Sequence, residues 1–315
     1  MCSSDLSFNS LEGLRDRVGL AVRQARLVGG EGTTLAAVEP HVDVVVPALR
    51  RDPASVSLDE KKRLMDEYVE AAWAVSPRIQ TTNAGYGDAR RRVIFANSEG
   101  SYIDQSRFRV SARVQVLARD GANVQQSRAA FSSPDDYDAV VGRHVEVGDA
   151  ARRAVALLDA AAAPGGEFTV ICDPALAAVF AHEAFGHLSE GDNVHENERL
   201  RDIMVLGKRF GRPILNIADG AAIGGQPGSF RYDDEGTPTR RTDLIRDGVL
   251  VGRLHSRETA GKMGEAATGN ARAQSYRHAP IVRMTNTCIE AGDSSFDDMV
   301  AETKLGIFCR DWYGG

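Results

Sequence analysis

The chain has 315 residues, of which 43% are hydrophobic, and its formal net charge is −6 at pH 7. This composition predicts a soluble globular protein with one large domain or two ordinary ones. Arginines occur in short clusters rather than in one long basic run, which argues against a nucleic-acid-binding protein. No apolar run reaches the roughly 18 residues of a membrane helix, and no signal-peptide pattern is seen, so we expect a cytoplasmic location and no membrane partner.

The amino-terminal half predicts helices followed by antiparallel hairpins. The predicted helices cover residues 11–27, 58–75 and 150–163, and the predicted strands cover residues 42–46, 91–97, 101–120 and 122–131. Turn residues at 98–100 and 120–121 separate the last three strands, so they predict a β-meander. A proline and two glycines at 164–166 then predict a domain boundary between an amino-terminal region, 1–163, and a carboxy-terminal region, 164–315.

The carboxy-terminal half predicts strands that alternate with short helices. The predicted strands cover residues 168–172, 214–217 and 282–289, a hairpin covers 244–251, and the predicted helices cover 256–263 and 296–305. Cys172 lies in an apolar strand and is predicted to be a core thiol, and the spacing of the four cysteines does not indicate a disulfide framework. We therefore predict an α+β fold with mixed helices and antiparallel hairpins, in which a strand leads into a helix that carries a histidine motif.

The motif is the stretch His182-Glu183-Ala184-Phe185-Gly186-His187, in which two imidazoles flank a carboxylate. Neutral imidazole nitrogens suit Zn²⁺, an open coordination position holds water, and a nearby carboxylate takes a proton from that water. Asp173 is a predicted helix N-cap and Pro174 the first helical residue, so the motif is expected on a helix. The pattern favours a metallopeptidase.

The spacing of the two histidines needs an explanation, because residues five apart lie about 140° apart on an ideal α-helix and do not face one metal ion. One alternative is a π-bulge that widens the turn. The other is a helix that ends near Gly186, which tolerates positive φ and lets His187 turn back. The interpretation without a metal is that Glu183 and His187, which are four residues apart, pair with each other on one face of the helix.

A catalytic zinc generally has three protein ligands. His195 is the nearest further histidine, in a loosened version of the metzincin pattern, but its charged surroundings favour a solvent-facing residue. Cys288 and Cys309 are other sources of a ligand, although nothing around them singles them out. The polar segment 188–192 is predicted to end the helix, and Glu190 and Asp192 within it are predicted to accept hydrogen bonds from the ligands or to be ordinary turn residues.

Four segments in order resemble the TldD/PmbA family of metallopeptidases. They are residues 182–192, the Asp-Asp-Glu-Gly-Thr-Pro run at 233–238, the Thr-Gly-Asn-Ala-Arg run at 268–272, and the Arg-Met-Thr-Asn-Thr run at 283–287. The resemblance extends from about residue 4 to the end of the chain. Because the His-Glu-three-His motif is intact, the chain is similar to the zinc-bearing TldD-type subunit rather than to its TldE (PmbA) partner.

This resemblance implies a zinc cofactor held by His182 and His187, with Glu183 as the general base. It also implies an unfolded or extended peptide substrate and a heterodimer with a TldE/PmbA-like subunit. Residues 281–289 are a candidate edge strand for peptide binding, with a buried strand as the alternative. Arg272, Tyr276 and His278, which lie in a family-like segment, are candidates for lining the substrate channel, with charged and polar residues of an ordinary loop as the alternative.

Members of the family are longer at both ends, so the sequence resembles a truncated chain, and the resemblance implies a third zinc ligand, a cysteine, beyond residue 315. The alternative is a non-catalytic fragment or peptide-binding partner subunit without metal. A metal content of one per chain favours the enzyme, and a metal-free chain favours the binding module.

Overall fold

The computed structural model describes residues 10–28, 32–134 and 136–312. The helices within this part are α1 Leu14–Val28, α2 Leu58–Trp73, α3 His144–Leu158, α4 Pro174–Ala181, α5 Gly191–Glu196, α6 Glu198–Ile203, α7 Arg257–Met263 and α8 Phe296–Glu302. The strands are β1 Val42–Val45, β2 Ile79–Ala96, β3 Tyr102–Asp120, β4 Asn123–Ser133, β5 Thr169–Cys172, β6 Ile217–Asp219, β7 Thr242–Arg246, β8 Val249–Leu250, β9 Ala271–Arg272, β10 Ile281–Val282, β11 Thr287–Ile289 and β12 Gly306–Cys309. None of the described helices has the length and apolar character to cross a bilayer. The α+β prediction is confirmed.

The amino-terminal half is an antiparallel meander covered on one face by two helices. Strand β3 pairs with both β2 and β4. Every second side chain from Val110 to Ala118 is buried, because successive residues of a strand point to opposite faces. These side chains form one core with residues of α2 and α3, such as Tyr68 and Ala154. The predicted meander is confirmed.

Two predicted boundaries in this half are wrong. The helix predicted at 150–163 is α3, which begins at His144 and ends at Leu158. Its first turns carry polar and glycine residues that hide the helical period, although Val147 within them is fully buried. Strand β2 begins at Ile79 rather than at residue 91, and most of its side chains are exposed. Its first half is held by its ladder to β3 and by Ala84 and Tyr86, which pack against the core. Most of the residues there are polar or small, so the sequence shows no hydrophobic alternation.

The carboxy-terminal half contains a second sheet in the order β11, β6, β7, β8. Its core joins Leu244 and Ile245 of β7 to Ala181 at the end of α4 and Val194 of α5. Asp247 and Gly248 form the β7–β8 turn with φ of 50° and 75°, as a two-residue hairpin with positive φ requires. The predicted hairpin is confirmed, and it supports the core against which the motif helix packs.

Three predictions for this half are wrong. The strand expected at 282–289 is divided into β10 and β11, which pair with different strands. Strand β5 is largely exposed and pairs in parallel with β12, so Cys172 is an exposed thiol rather than a core residue. The strand predicted at 214–217 is β6, which covers Ile217–Asp219. The predicted end of the motif helix within 188–192 is confirmed, because Glu190 is extended and separates the 3₁₀ turn at His187–Ser189 from α5. Apolar character alone did not distinguish an exposed strand from a buried one.

Polar contacts connect the two halves. Gln105 on β3 donates to the carbonyl of Tyr232 at 3.0 Å, and Arg257 at the start of α7 pairs with Glu99 through two hydrogen bonds of 2.6 and 2.7 Å. Each half has its own cluster of buried apolar side chains. The division at 163/164 stays a prediction.

The turn that follows Tyr232 contains a buried carboxyl. Asp233 is 4% exposed and accepts hydrogen bonds from the backbone N–H groups of Glu235, Thr237 and Ala271 at 3.0, 2.8 and 3.0 Å. Burial raises the pKa of Asp233 to about 7, with a further contribution from the charge of Glu235 and opposition from the three N–H donors.

We expect protonation of Asp233 to stabilise the fold. Because the folded state binds this proton more tightly than the unfolded chain, with a pKa of about 3.9, the contribution is complete below pH 4 and is lost as the pH rises through about 7. The loss is at most about 4 kcal/mol. Thermal melting from pH 4 to 8 checks this by comparing the parent with Asp233→Asn. The melting temperature of the parent should fall relative to that of the variant as the pH rises, and parallel curves would contradict the prediction.

Candidate metal centre

The motif helix α4 begins at a well-anchored N-terminus. The carboxylate of Asp173 accepts a hydrogen bond from the N–H of Leu176 at 2.8 Å, and Pro174 is the first helical residue, as predicted. The same carboxylate accepts from the N–H of Asp311 at 2.9 Å. Helix α4 is therefore fixed to the segment that follows β12.

The helix widens at the motif itself. Residues His182–Gly186 form a single π-helical turn, closed by a hydrogen bond from the N–H of His187 to the carbonyl of His182. One extra residue in the turn brings the two imidazoles to the same side, with ring centroids 4.8 Å apart and planes at 82°. Gly186 has φ of −62°, so the π-bulge alternative is confirmed and the positive-φ alternative is wrong.

The side chains of His182, Glu183 and His187 converge. Each offers one ligand atom, and these atoms all lie within 4.8 Å of one another. Glu183 is exposed, and both histidines are partly buried. A metal site needs three or more histidine, cysteine or acidic side chains close together. Among the described residues, His182, Glu183 and His187 form such a group. The geometry therefore brings together all three residues predicted from the sequence.

Glu190 fixes the orientation of His187. Its side chain is 3% exposed, and one carboxylate oxygen lies 3.3 Å from His187 Nδ1 and accepts from Asn193 Nδ2 at 3.0 Å. The other oxygen accepts from the N–H of Met284 at 3.3 Å. His187 pairs with Glu190 rather than with Glu183, so Nε2 of His187 is left to face a metal.

Asp192 has a different role from the one predicted. Its carboxylate accepts a hydrogen bond from the N–H of Val282 at 3.0 Å and does not contact a motif histidine. Glu190 and Asp192 thus hold the segment 282–284 against the motif. The sequence did not predict that Met284 and Asn193 donate hydrogen bonds to Glu190. The Arg-Met-Thr-Asn-Thr run that contains Met284 was the one signal that its segment belongs to the site.

Gly186 allows the segment 282–284 to approach the π-turn. A Cβ atom at Gly186 would lie 1.9 Å from Sδ of Met284, which is 5% exposed. No side chain larger than hydrogen fits unless Met284 moves. Gly186 is therefore needed for close packing, not for positive φ as one alternative supposed.

The other predicted ligand candidates lie outside the group. His195 is on α5, Cys288 is on β11 and Cys309 is on β12. None of the three shares the 4.8 Å cluster in the described part of the chain.

Comparison with known proteins gives the family. Residues 165–315 match the family model described as the PmbA/TldA metallopeptidase C-terminal domain, and residues 51–158 match the corresponding central domain. A metalloprotease of Synechocystis is 43% identical over 98% of this chain and 67% of its own length. The chain belongs to the PmbA/TldD metallopeptidase family.

Other relatives of this PmbA/TldD chain carry more specific names. A protein of Haemophilus influenzae described as a TldD homologue is 31% identical over 83% of this chain and 55% of its own length. A protein of Saccharolobus solfataricus described as a zinc metalloprotease and TldD homologue is 29% identical over 88% of this chain and 64% of its own length. The chain thus spans about two thirds or less of the curated relatives it matches.

Solved structures share the fold. TldE from Thermococcus kodakarensis superposes with a TM-score of 0.71 at 18% identity, over 98% of this chain and 70% of that protein. A Thermotoga maritima protein described as a candidate modulator of a DNA gyrase superposes with a TM-score of 0.81 at 22% identity, over 98% and 68%. At this level of identity the likeness concerns the fold of the PmbA/TldD chain alone.

The residues present fit a zinc ion. The two imidazoles are borderline ligands of the kind that zinc accepts, Glu183 lies beside them, and one imidazole is oriented by a buried carboxylate.

Proposed function

We propose that this chain is a zinc-dependent peptidase subunit that hydrolyses unfolded or extended peptides, with the metal held by His182 and His187. The observation that carries the proposal is the π-turn, because it converts a five-residue spacing into two converging imidazoles with a carboxylate beside them. The names of the curated relatives support it.

Zinc, when bound, supplies a Lewis acid that lowers the pKa of water and polarises a carbonyl. The role that we assign to Glu183 is proton transfer. Its exposed carboxylate follows His182 directly and is free to accept a proton from the attacking water and to deliver it to the leaving amine. Glu190 holds the His187 ring in one orientation, so that its Nε2 lone pair is available to the metal.

Partner and location are part of the same proposal. The fold shared with TldE supports a heterodimer with a TldE/PmbA-like subunit. We also propose a cytoplasmic location. No membrane helix occurs among the described residues.

Metal content tests the proposal. We expect about one zinc per chain in the purified protein and much less in His187→Ala, because only one imidazole then remains in the group. His195→Ala is the matched control, since His195 lies outside the group, and it should keep the zinc of the parent. Elemental analysis of the three proteins measures this. A zinc-free parent would instead indicate a binding subunit without catalysis, and loss of zinc in His195→Ala would indicate the metzincin-like arrangement.

A further inference from the structure

Four arginines from distant parts of the chain meet beside the metal centre. Arg91 on β2 and Arg107 on β3 are directly opposite partners across the ladder. Arg272 ends β9, and Arg283 follows β10. Like charges that face each other across strands are unfavourable, so the pairing of Arg91 with Arg107 needs a compensating negative charge.

Asp234 forms an ion pair with Arg107 of this arginine cluster. Its carboxylate lies 3.2 Å from the guanidinium of Arg107 and accepts from the N–H of Ala273 at 2.9 Å. Backbone carbonyls accept from two of these guanidinium groups: Arg272 Nη1 donates to Met284 O at 3.1 Å, and Arg107 Nη2 donates to Tyr232 O at 2.6 Å. Among the described residues, no carboxylate lies within 4.0 Å of the guanidinium of Arg91 or Arg272, and Arg107 Nε is buried without a hydrogen-bond partner. The cluster thus has more donors than the chain itself satisfies.

The charges of the cluster affect one another. Burial lowers the pKa of the Arg107 guanidinium, and the positive charges of Arg91 and Arg272 lower it further against the opposing effect of Asp234. Burial also lowers the pKa of Arg272; the charge of Asp234 opposes this effect, Arg283 and Arg91 add to it, and Asp219 opposes it. All four guanidinium groups therefore share one electrostatic environment.

A short series of contacts connects this environment to the motif. Nε of Arg283 lies 4.0 Å from the Glu190 carboxylate, whose other oxygen lies 3.3 Å from His187 Nδ1. The Glu190 carboxylate already contacts Asn193, the N–H of Met284 and His187. The side chain of Arg283 is 45% exposed, so its remaining donors face solvent next to the metal centre.

We propose that Arg91, Arg107, Arg272 and Arg283 form a carboxylate-binding subsite, so that the peptides preferred by this centre carry a negative charge close to the bond that is cut. A guanidinium fork matches the two oxygens of a carboxylate and binds it through two parallel hydrogen bonds. The carboxylate belongs either to the carboxyl terminus of the peptide or to an aspartate or glutamate side chain. This inference rests on the proposed peptidase function for its choice of ligand.

Calorimetric titration of the metal-free, chelator-treated protein tests the subsite without any hydrolysis. Three unstructured peptides of the same length are compared: a neutral peptide with an amidated carboxyl terminus, the same peptide with a free terminal carboxylate, and the amidated peptide with one central glutamate. We expect at least one charged peptide to bind about tenfold or more tightly than the neutral one, since a charge-assisted hydrogen bond contributes about 1.5–3 kcal/mol. The peptide that gains affinity identifies the source of the carboxylate.

Variants connect the preference to the cluster. Arg91→Gln and Arg283→Gln alter side chains that are exposed, so the fold should be kept, and the double variant should lose the tenfold preference. Arg90→Gln is the matched control, because Arg90 is the next residue on β2 and points to the opposite face. Equal affinity for all three peptides, or an unchanged preference in the double variant, would overturn the inference. The titration is made without metal, so its result does not depend on hydrolysis. If only the peptidase proposal fails, the protein still binds the carboxylate but neither retains zinc nor hydrolyses peptides.

Discussion

Glu183→Gln is expected to reduce the rate of peptide hydrolysis by about 10²- to 10⁴-fold, which is the contribution of a general acid–base group. Glutamine has nearly the same shape as glutamate but does not accept a proton at neutral pH. Because His182 and His187 are unchanged in the variant, the zinc content should stay close to that of the parent. Steady-state cleavage of an unstructured peptide together with elemental analysis measures both quantities.

The zinc measurement distinguishes two roles for Glu183, which lies within the same 4.8 Å group as the histidines. If Glu183 is a base, its replacement leaves the zinc content unchanged. If Glu183 is a metal ligand, its replacement lowers the zinc content. Glu196→Gln is the control, since Glu196 is an exposed glutamate at the end of α5. If Glu183→Gln keeps a rate within a fewfold of the parent, the base is another group. If the variant loses zinc together with activity, Glu183 is a metal ligand.

Gly186→Ala is expected to lower the free energy of unfolding by about 1–3 kcal/mol and to weaken zinc binding. The new methyl group would lie 1.9 Å from Sδ of the buried Met284, so this side chain must repack, and where it has no room to do so the π-turn or the segment 282–284 moves. Movement of this segment disturbs the contact between the Met284 N–H and Glu190, which orients His187. Thermal melting and zinc content measure the two effects.

A second substitution makes this prediction specific. Gly186→Ala combined with Met284→Ala should recover more zinc binding than Gly186→Ala alone, because the smaller side chain leaves room for the methyl group. Gly19→Ala on helix α1 is the matched glycine control and should not lower stability, since only the end of the Arg23 side chain lies near the added atom and alanine favours a helix. Equal stability of Gly186→Ala and the parent would mean that the close packing does not constrain the motif.

The sequence predicted those parts of the site that depend on local chemistry. Asp173 and Pro174 fixed the start of the motif helix, and the anomalous spacing of His182 and His187 required either a π-bulge or a helix end. The choice between these was not available from the motif, and neither was the close contact of Gly186 with Met284, a residue from another segment. Local patterns predict local geometry, whereas contacts between distant segments depend on the whole fold.

The limits of the fold prediction have the same origin. The meander was predictable because β3 buries every second side chain from Val110 to Ala118, and these side chains are apolar. The first half of β2 also alternates in burial, but its residues are mostly polar or small, so the sequence shows no hydrophobic period there. Residues 168–172 look like a buried strand by composition, yet β5 is covered by little of the described structure. The arginine cluster was equally hidden, since its members are 11 to 192 residues apart and meet only through sheet pairing and the turn at Asp234.

The contact between Glu190 and Met284 joins two segments that are synthesised at different times. These residues are 94 apart in the chain, and the hydrogen bond from Asp311 to Asp173 spans 138 residues. At a translation rate of about 5–20 residues per second, the two histidines leave the ribosome roughly 5–20 s before the segment that orients His187. The hydrogen bond that fixes Glu190, and through it His187, therefore forms only after residue 284 has been made. Until then the widened turn lacks one of the contacts that support its geometry.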